Sequence, residues 1–153
     1  MGVSMTGEEA WDFLECGHTG VFTTLRRDGW PVALPVWFVV SDHRIYIGTP
    51  SQTAKLRRIA NDDRASFLVE DGSRWAELAA VHLPVRARVL DPELDTGEMK
   101  LAGRLFAEKY AVFRTSAEKL PSASTKHYSS QRVIRLDAAG PLISWDNSRL
   151  RLD

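Results

Sequence analysis

The sequence predicts a small antiparallel β-barrel with a few inserted helices, and two observations lead to this class. Short runs rich in β-branched and aromatic residues recur at close spacing, as in residues 20–25, 31–40 and 64–70. Turn-forming pairs, among them Asp28-Gly29 and Asp71-Gly72, lie next to these runs. Many short strands separated by tight turns are typical of closed or nearly closed antiparallel sheets.

Length and composition narrow the class of protein. A chain of 153 residues is expected to form one domain with a single sizeable core. Its 20 basic and 20 acidic side chains cancel, so the net charge does not favour nucleic acid or an anionic membrane as a partner. Cys16 is the only cysteine, which excludes an internal disulfide and favours a reducing, cytoplasmic compartment. Residues 1–15 lack the pattern of a signal peptide, and no apolar run is long enough to span a bilayer.

Three segments have helical signals. Thr6 and Glu9 have the spacing of a capping box, which predicts a helix over residues 7–16 that ends at Gly17. A second helix is predicted at about 52–60. A third is expected from Pro92, near its first turn, to about residue 110.

A hairpin is predicted around Asp28-Gly29, because this pair suits a type I′ turn. A two-residue loop makes Arg27 and Trp30 a hydrogen-bonded pair. The two prolines of the second strand, Pro31 and Pro35, then fall at non-hydrogen-bonded positions relative to the first strand. Because proline has no N–H, regular pairing on the other side of this strand should break near Pro35.

The remaining predicted elements complete the barrel. A turn at 41–44 leads into a strand at about 44–48, and another strand covers 64–70. One or two strands are expected within 75–90. The closing pair of strands is predicted at 133–136 and 141–145.

The segment after the strand at 44–48 gathers groups that suit a phosphate. The start of the second helix provides free backbone N–H groups and the positive end of the helix dipole. Lys55 can place its ammonium over the same point, and Arg58 lies on the same helical face. Hydroxyl donors are available from Thr49, Ser51 and Thr53. The alternative interpretation is an amphipathic surface helix whose cations are only solvated.

The segment Pro35-Val36-Trp37 is the second candidate. Trp37 alone fits a core or interface aromatic residue. The expected interruption at Pro35 also allows unpaired peptide groups to meet the polar edge of a flat heterocycle. The four histidines and Cys16 show no metal-ligand spacing, so no metal site is predicted. No residue is nominated as a catalytic acid, base or nucleophile.

The order of these features resembles the pyridoxamine 5′-phosphate oxidase-like superfamily, the split-barrel flavin and deazaflavin proteins. The resemblance rests on three stretches: GVFTTLRRDGWPVALPVWFVV, RIYIGTPSQTAKLRRIANDDRASFLVED and PLISWD. It implies one domain over 1–153, with a helical N-terminus at 1–17 and a barrel at about 18–146. The implied fold is a six-stranded antiparallel split β-barrel of the FMN-binding type.

The resemblance also implies a site and an assembly. The cofactor phosphate is expected at Thr49 to Lys55, with Arg58 beside it, and the tricyclic ring against Pro35, Val36 and Trp37. Such proteins assemble as homodimers with cofactor sites between the subunits. The chain departs from the oxidases proper at Ala54-Lys55, where they have an Arg-Lys pair, so pyridoxal phosphate synthesis is not expected.

The function implied is an oxidoreductase that uses FMN or F-420 deazaflavin and moves hydride between this cofactor and a small conjugated substrate. Arg57 and Arg58 add more positive charge than one phosphate needs, which favours the carboxylate-rich tail of F-420. Two alternatives stay open. One is a dimer that binds or sequesters the cofactor with little turnover, and the other is a split-barrel dimer without a cofactor.

Overall fold

The computed structural model describes residues 2–127 and 130–150. Within these residues, helices separate groups of two to four consecutive strands. The α-helices are α1 (Gly7–Cys16), α2 (Ala54–Asn61), α3 (Thr96–Tyr110) and α4 (Ser122–His127). The strands are β1 (Gly20–Leu25), β2 (Pro31–Val36), β3 (Val39–Ser41), β4 (Arg44–Pro50), β5 (Arg64–Asp71), β6 (Ala79–Val89), β7 (Gln131–Ala138) and β8 (Ile143–Asp146).

All strand pairs are antiparallel, and the described strands form one sheet in the order β2-β1-β5-β6-β7-β4-β3. β8 lies off this path and pairs with the first part of β6. The predicted class, a mainly antiparallel β structure with helices, is confirmed. The described residues form eight strands where six were expected. β3 is separate from β2, and the two closing strands both pair with β6 rather than with each other.

Strand alternation builds the core. β1 shows alternating burial along its length, and the face with Phe22 is buried. Phe22 lies opposite Phe67 of β5, which lies opposite Leu83 of β6, and all three side chains have at most 1% exposure. Phe38 packs edge-on against Phe67 with ring centroids 4.8 Å apart. One row of opposed apolar side chains therefore crosses three strands. Phe38, in the loop that follows β2, packs against this row.

The three predicted helices are present at approximately their predicted positions, and α4 is an additional short helix that was not predicted. α1 matches its predicted bounds, and both capping-box bonds are present: Glu9 N–H donates to the Thr6 hydroxyl, and Thr6 N–H donates to Glu9. α3 begins at Thr96 rather than near Pro92. The cause is Asp91, whose carboxylate accepts from the N–H groups of two following residues and holds them in a turn before the helix.

The predicted two-residue hairpin at Asp28-Gly29 is wrong by one residue. The Arg26 N–H donates to the Trp30 carbonyl at 2.9 Å, and the Gly29 N–H donates to the Arg26 carbonyl at 2.9 Å, so the loop has three residues. Gly29 has φ 87°, whereas Asp28 is not left-handed and its carboxylate accepts from Trp30 N–H. A three-residue loop with glycine at its last position is the next most common hairpin connection.

The register of β1 and β2 shifts accordingly. A two-residue loop that pairs Arg27 with Trp30 would place Leu25 opposite Val32. In the structure Leu25 lies opposite Pro31. Two consecutive left-handed residues occur instead at Asp42 and His43, with φ 50° and 55°, in the turn between β3 and β4. The sequence therefore contains a two-residue hairpin, but at the turn that lacks glycine.

This shift leaves the predicted hydrogen-bonding positions of the two prolines unchanged. Trp30 remains in a hydrogen-bonded pair, so alternation still places Pro31 and Pro35 at non-hydrogen-bonded positions toward β1. The outer edge of β2 has no strand partner among the described residues. The strand ends at Val36, close to the expected interruption at Pro35.

The break between β2 and β3 is held by one hydroxyl group. Phe38 N–H donates to the Tyr110 hydroxyl at 3.0 Å, and this hydroxyl has the carbonyls of His18 and Phe38 within 2.7 and 2.8 Å. The Tyr110 side chain is fully buried at the end of α3. It replaces the ladder bonds that the chain loses where the strand is interrupted.

Replacing Tyr110 with Phe should lower the free energy of unfolding by about 1–3 kcal/mol, because the buried Phe38 N–H loses its acceptor. Urea denaturation would measure this. The matched control is Tyr46→Phe, whose hydroxyl donates to the half-buried Glu98 at 2.8 Å and should cost less. Equal effects of the two substitutions would contradict the assigned role of Tyr110.

Candidate functional site

The loop between β4 and α2 contains the predicted hydroxyl groups. Thr49 is buried, with 1% exposure, and its hydroxyl lies 3.1 Å from the hydroxyl of Thr53. Thr53 precedes α2, but its side chain accepts no N–H of the helix. Ser51 N–H donates to the carbonyl of Ser130 at 3.0 Å, which ties the loop to the start of β7. The first N–H groups of α2 are therefore left without a side-chain cap.

Lys55 lies in the first turn of α2 and is half-buried. Burial and, to a lesser degree, the positive charge of Arg58 lower the pKa of Lys55. Within residues 2–127 and 130–150, no acidic side chain lies within ion-pair distance of Lys55, Arg57 or Arg58. An anion at this point would offset both the burial and the repulsion.

A cavity of about 410 Å³ lies between α2 and the β1–β2 hairpin. Arg26 pairs with Asp28 at 3.0 Å, at the edge of this region. α2 contributes one helical face to the cavity, and the hairpin loop contributes two adjacent cations. The lining residues are Arg26, Arg27, Ala54, Arg57, Arg58 and Asn61. Four guanidinium groups thus surround one cavity with no carboxylate among its lining residues, an arrangement that suits a polyanionic group.

The sequence prediction missed Arg26 and Arg27. Their only signal is a pair of adjacent cations just before the Asp28-Gly29 turn. Lys55 does not line the arginine cavity, whereas Arg58 both lines it and lies close enough to influence Lys55. The structure therefore divides the predicted cationic group between the cavity and the start of α2.

The predicted ring-binding segment lies at the free edge of the sheet. Pro35 is exposed and Val36 is half-buried, both on β2. Trp37 follows the strand and stacks on Tyr110, with ring centroids 4.4 Å apart and planes at 7°. One face of the Trp37 ring is thus covered by the protein. The outer edge of β2 presents backbone groups that no described strand uses.

The arginine cavity and the predicted ring-binding segment lie at opposite ends of β2 within one chain. The arginine cavity is next to the hairpin loop, before Pro31, and Trp37 lies just beyond the other end of the strand. Six residues of extended chain span about 20 Å. A ligand that contacts both parts must therefore be long, or the two parts must come from different subunits.

A second cavity, of about 430 Å³, lies between α1, β3 and α3. Lys109 lines it and donates to the Phe38 carbonyl at 3.0 Å, with its Nζ 4.0 Å from the centre of the Phe38 ring. Burial lowers the pKa of Lys109 to about 8, although both contacts favour its charged form. The sequence prediction did not single out this lysine, because a half-buried cation at the end of a helix has no local signature.

The described residues contain no group of three or more His, Cys, Asp or Glu side chains that could hold a metal ion. No helix in the same residues has the length and apolarity required to cross a membrane. The cofactor-binding role assigned to residues from Pro35 to Arg58 stays a prediction.

Comparison with known proteins fixes the family. The family profile described as pyridoxamine 5′-phosphate oxidase matches residues 6–139, which is most of the chain. The chain belongs to the pyridoxamine 5′-phosphate oxidase-like superfamily. No curated protein sequence matches it.

Several solved structures share the fold. A conserved hypothetical protein from Mycobacterium tuberculosis is 27% identical, with a TM-score of 0.80 over 99% of this chain and 91% of that one. An FAD-binding protein from Mesorhizobium loti is 15% identical, with a TM-score of 0.70 over 92% and 94% of the two chains. An FAD-binding protein from Mycobacterium smegmatis is 19% identical, with a TM-score of 0.64 over 92% and 95%. At these last two identities the likeness shows the fold alone.

Sulfate should raise the melting temperature of this protein through the arginine cavity, by about 2–4 °C for each ~1 kcal/mol of binding. Sulfate also stabilises proteins in general, so the measurement is the difference between wild type and Arg57→Ala/Arg58→Ala. The control is Arg104→Ala, an exposed arginine of α3. If the double variant keeps the full sulfate effect, the cavity does not bind anions.

Proposed function

We propose that this protein is an oxidoreductase that binds FMN or F-420 deazaflavin and transfers hydride between this cofactor and a small conjugated substrate. The observation that carries the proposal is the group of cations on α2, which have no acidic partner in the described residues. A second feature is the outer edge of β2, whose peptide groups no described strand uses. The FAD-binding proteins of similar fold support a flavin-type cofactor. The single cysteine, Cys16, fits a reducing, cytoplasmic setting.

In this proposal Lys55 holds the cofactor phosphate together with the uncapped N–H groups of α2. A half-buried ammonium with a lowered pKa gains most from a negatively charged partner, because the partner offsets its lost hydration. Thr49 and Thr53 position the loop through their mutual hydrogen bond, and Ser51 holds it against β7. The residues present therefore fit a phosphate.

The ring of the cofactor is assigned to the segment Pro35-Val36-Trp37. The peptide groups at the outer edge of β2 can meet the polar rim of a flat heterocycle, and the stacked Trp37 keeps that end of the strand in place. When bound, the cofactor supplies the hydride chemistry, and the protein supplies orientation and exclusion of water. No side chain is assigned as the proton donor.

The arginine cavity favours F-420 over FMN. Arg57 and Arg58 add charge beyond what one phosphate needs, and Arg26 and Arg27 add more from the hairpin. An oligoglutamate tail presents several carboxylates, each of which can accept from a guanidinium group. The alternative function is a dimer that binds or sequesters the cofactor with little turnover. It needs the same cavity and is separated from the enzyme only by turnover measurements.

A homodimer is part of the proposal, and a row of side chains across the sheet supports it. Val21, Leu68 and His82 lie directly opposite one another on β1, β5 and β6. Pro35 extends the row onto β2, and Ile143 extends it onto β8. The adjacent row, which contains Phe22 and Phe67, faces the core, so this row faces outward. A flat, mainly apolar surface five strands wide suits a self-complementary two-fold interface.

The polar atoms of this surface also suit a partner. His82 Nδ1 is buried and has no hydrogen-bond partner in the described part of the chain. Ile143 is 58% exposed at the β8 end of this apolar row. A second subunit would bury the isoleucine and could supply the missing partner. It could also bring the cations of one chain close to Trp37 of the other.

Replacing Ile143 with Glu should weaken the dimer at least about tenfold, because a carboxylate would be buried without a partner. Sedimentation equilibrium measures the dissociation constant. The control is Val112→Glu, a residue with 87% exposure away from this row. A wild-type protein that is monomeric at all concentrations, or an Ile143→Glu variant with unchanged association, would remove this interface from the proposal.

Replacing Lys55 with Ala should weaken cofactor binding by about 1.5–3 kcal/mol, the range for a hydrogen bond to a charged group. The test is fluorescence titration of the apo-protein with FMN and with F-420 in parallel. Lys100→Ala, an exposed lysine of α3, is the matched control. Unchanged affinity in Lys55→Ala would displace the phosphate from this helix, and failure of both cofactors to bind wild type would refute the function.

A further inference from the structure

An exposed group of aromatic rings lies beside the end of β2 and has no role in the core. It consists of His18, before β1, and Phe113, just after α3, next to Trp37 and Tyr110. Phe113 is 55% exposed, and His18 is also exposed. Gly20 and Val36 are paired residues of β1 and β2, so the segments with His18 and Trp37 leave the sheet at the same end.

The base of this group is rigid. Tyr110 is buried, its hydroxyl is engaged by Phe38 and His18, and its ring stacks in parallel on Trp37 at 4.4 Å. Phe106 extends the stack, with its ring centroid 5.8 Å from that of Tyr110. Rings held in this way lose little conformational entropy when a ligand packs against them.

The imidazole of His18 stands upright on this base. It meets Phe113 at 4.5 Å and 69°, Tyr110 at 5.4 Å and 68°, and Trp37 at 6.1 Å and 74°. All three contacts are edge-to-face, so His18 forms a wall rather than another layer of the stack. Its main chain is fixed, because the His18 carbonyl accepts from the Tyr110 hydroxyl at 2.7 Å. The half-buried Trp37 ring and the His18 imidazole therefore stand nearly perpendicular to each other and form a corner, with the exposed Phe113 ring beside them.

The charge at this corner differs from that at the other end of β2. Three of the four rings at the corner, those of Trp37, Tyr110 and Phe113, carry no formal charge. Lys109, in the last turn of α3, is directed to the Phe38 carbonyl and lies over the Phe38 ring. The arginine cavity would hold an anion, whereas this corner offers apolar ring faces and edges. The ligand that fits it is flat, conjugated and without charge.

We propose that His18 and Phe113 form the binding surface for the substrate ring, next to the cofactor ring assigned to Pro35-Val36-Trp37. This inference rests on the proposed function. His18 and Phe113 are positioning residues for an uncharged planar conjugated substrate, and no proton transfer is assigned to either.

The test measures ring binding separately from cofactor binding. Herniarin, an uncharged, planar, fluorescent methoxycoumarin, is titrated into the cofactor-loaded protein and into the apo-protein. His18→Ala and Phe113→Ala should each raise its dissociation constant about three- to tenfold, the loss of one or two aromatic contacts. His18→Phe should restore most of the affinity. The dissociation constant for FMN or F-420 and the melting temperature should stay at wild-type values in all three variants.

Val112→Ala is the matched control, because Val112 is the exposed neighbour of Phe113 and has no ring contact. The proposal is overturned if herniarin affinity is unchanged in both alanine variants, or if Val112→Ala has the same effect. It is also overturned if the variants change dimer dissociation instead, because the corner is then a subunit contact. Failure of wild type to bind either cofactor would refute the proposed function, whereas failure of the cofactor-loaded wild type to bind herniarin would refute only this inference.

Discussion

The hydrogen bonds of the Tyr110 hydroxyl determine where the sheet is interrupted, and the candidate site depends on that interruption. β2 ends at Val36 and does not run into β3 as one regular strand, so the buried Phe38 N–H has no ladder partner. The Tyr110 hydroxyl, delivered by the last turn of α3, accepts from this N–H, and the Phe38 carbonyl lies within hydrogen-bond distance of both Tyr110 and Lys109. The Tyr110 ring also supports Trp37. The free edge of β2 and the position of Trp37 therefore follow from a contact between residues 72 positions apart.

Much of the fold could be predicted from local patterns in the sequence. The capping box at Thr6 and Glu9 fixed α1, and strand alternation placed β1 and β5 to within a residue or two. The hairpin register could not be predicted, since Asp28-Gly29 suits both a two-residue loop and a three-residue loop with a left-handed glycine. The start of α3 was missed because the Asp91 side chain competes with the helix for backbone N–H groups.

The candidate site was predictable only where its residues are neighbours in the sequence. Lys55 and Arg58 lie one helical turn apart, and their proximity follows from helix geometry alone. Arg26 and Arg27 share a cavity with Arg58 only because α2 packs beside the β1–β2 hairpin, which is a tertiary contact. The same holds for His18 and Phe113, which meet because α3 ends beside the start of β1. Sequence spacing gives no information about such contacts between residues that are distant in the chain.

A purely structural interpretation of the α2 cations conflicts with their surroundings. Solvated surface cations extend into water, but Lys55 and Arg58 are half-buried. They are also close enough for the charge of Arg58 to lower the pKa of Lys55. Elsewhere in the described chain, Arg86, Arg88 and Arg135 face carboxylates. A fold that pairs those arginines but leaves the α2 cations without an acidic partner retains an unfavourable electrostatic interaction that an anionic ligand would remove. The electrostatics thus favour a bound anion over a solvated face, whichever coenzyme carries it.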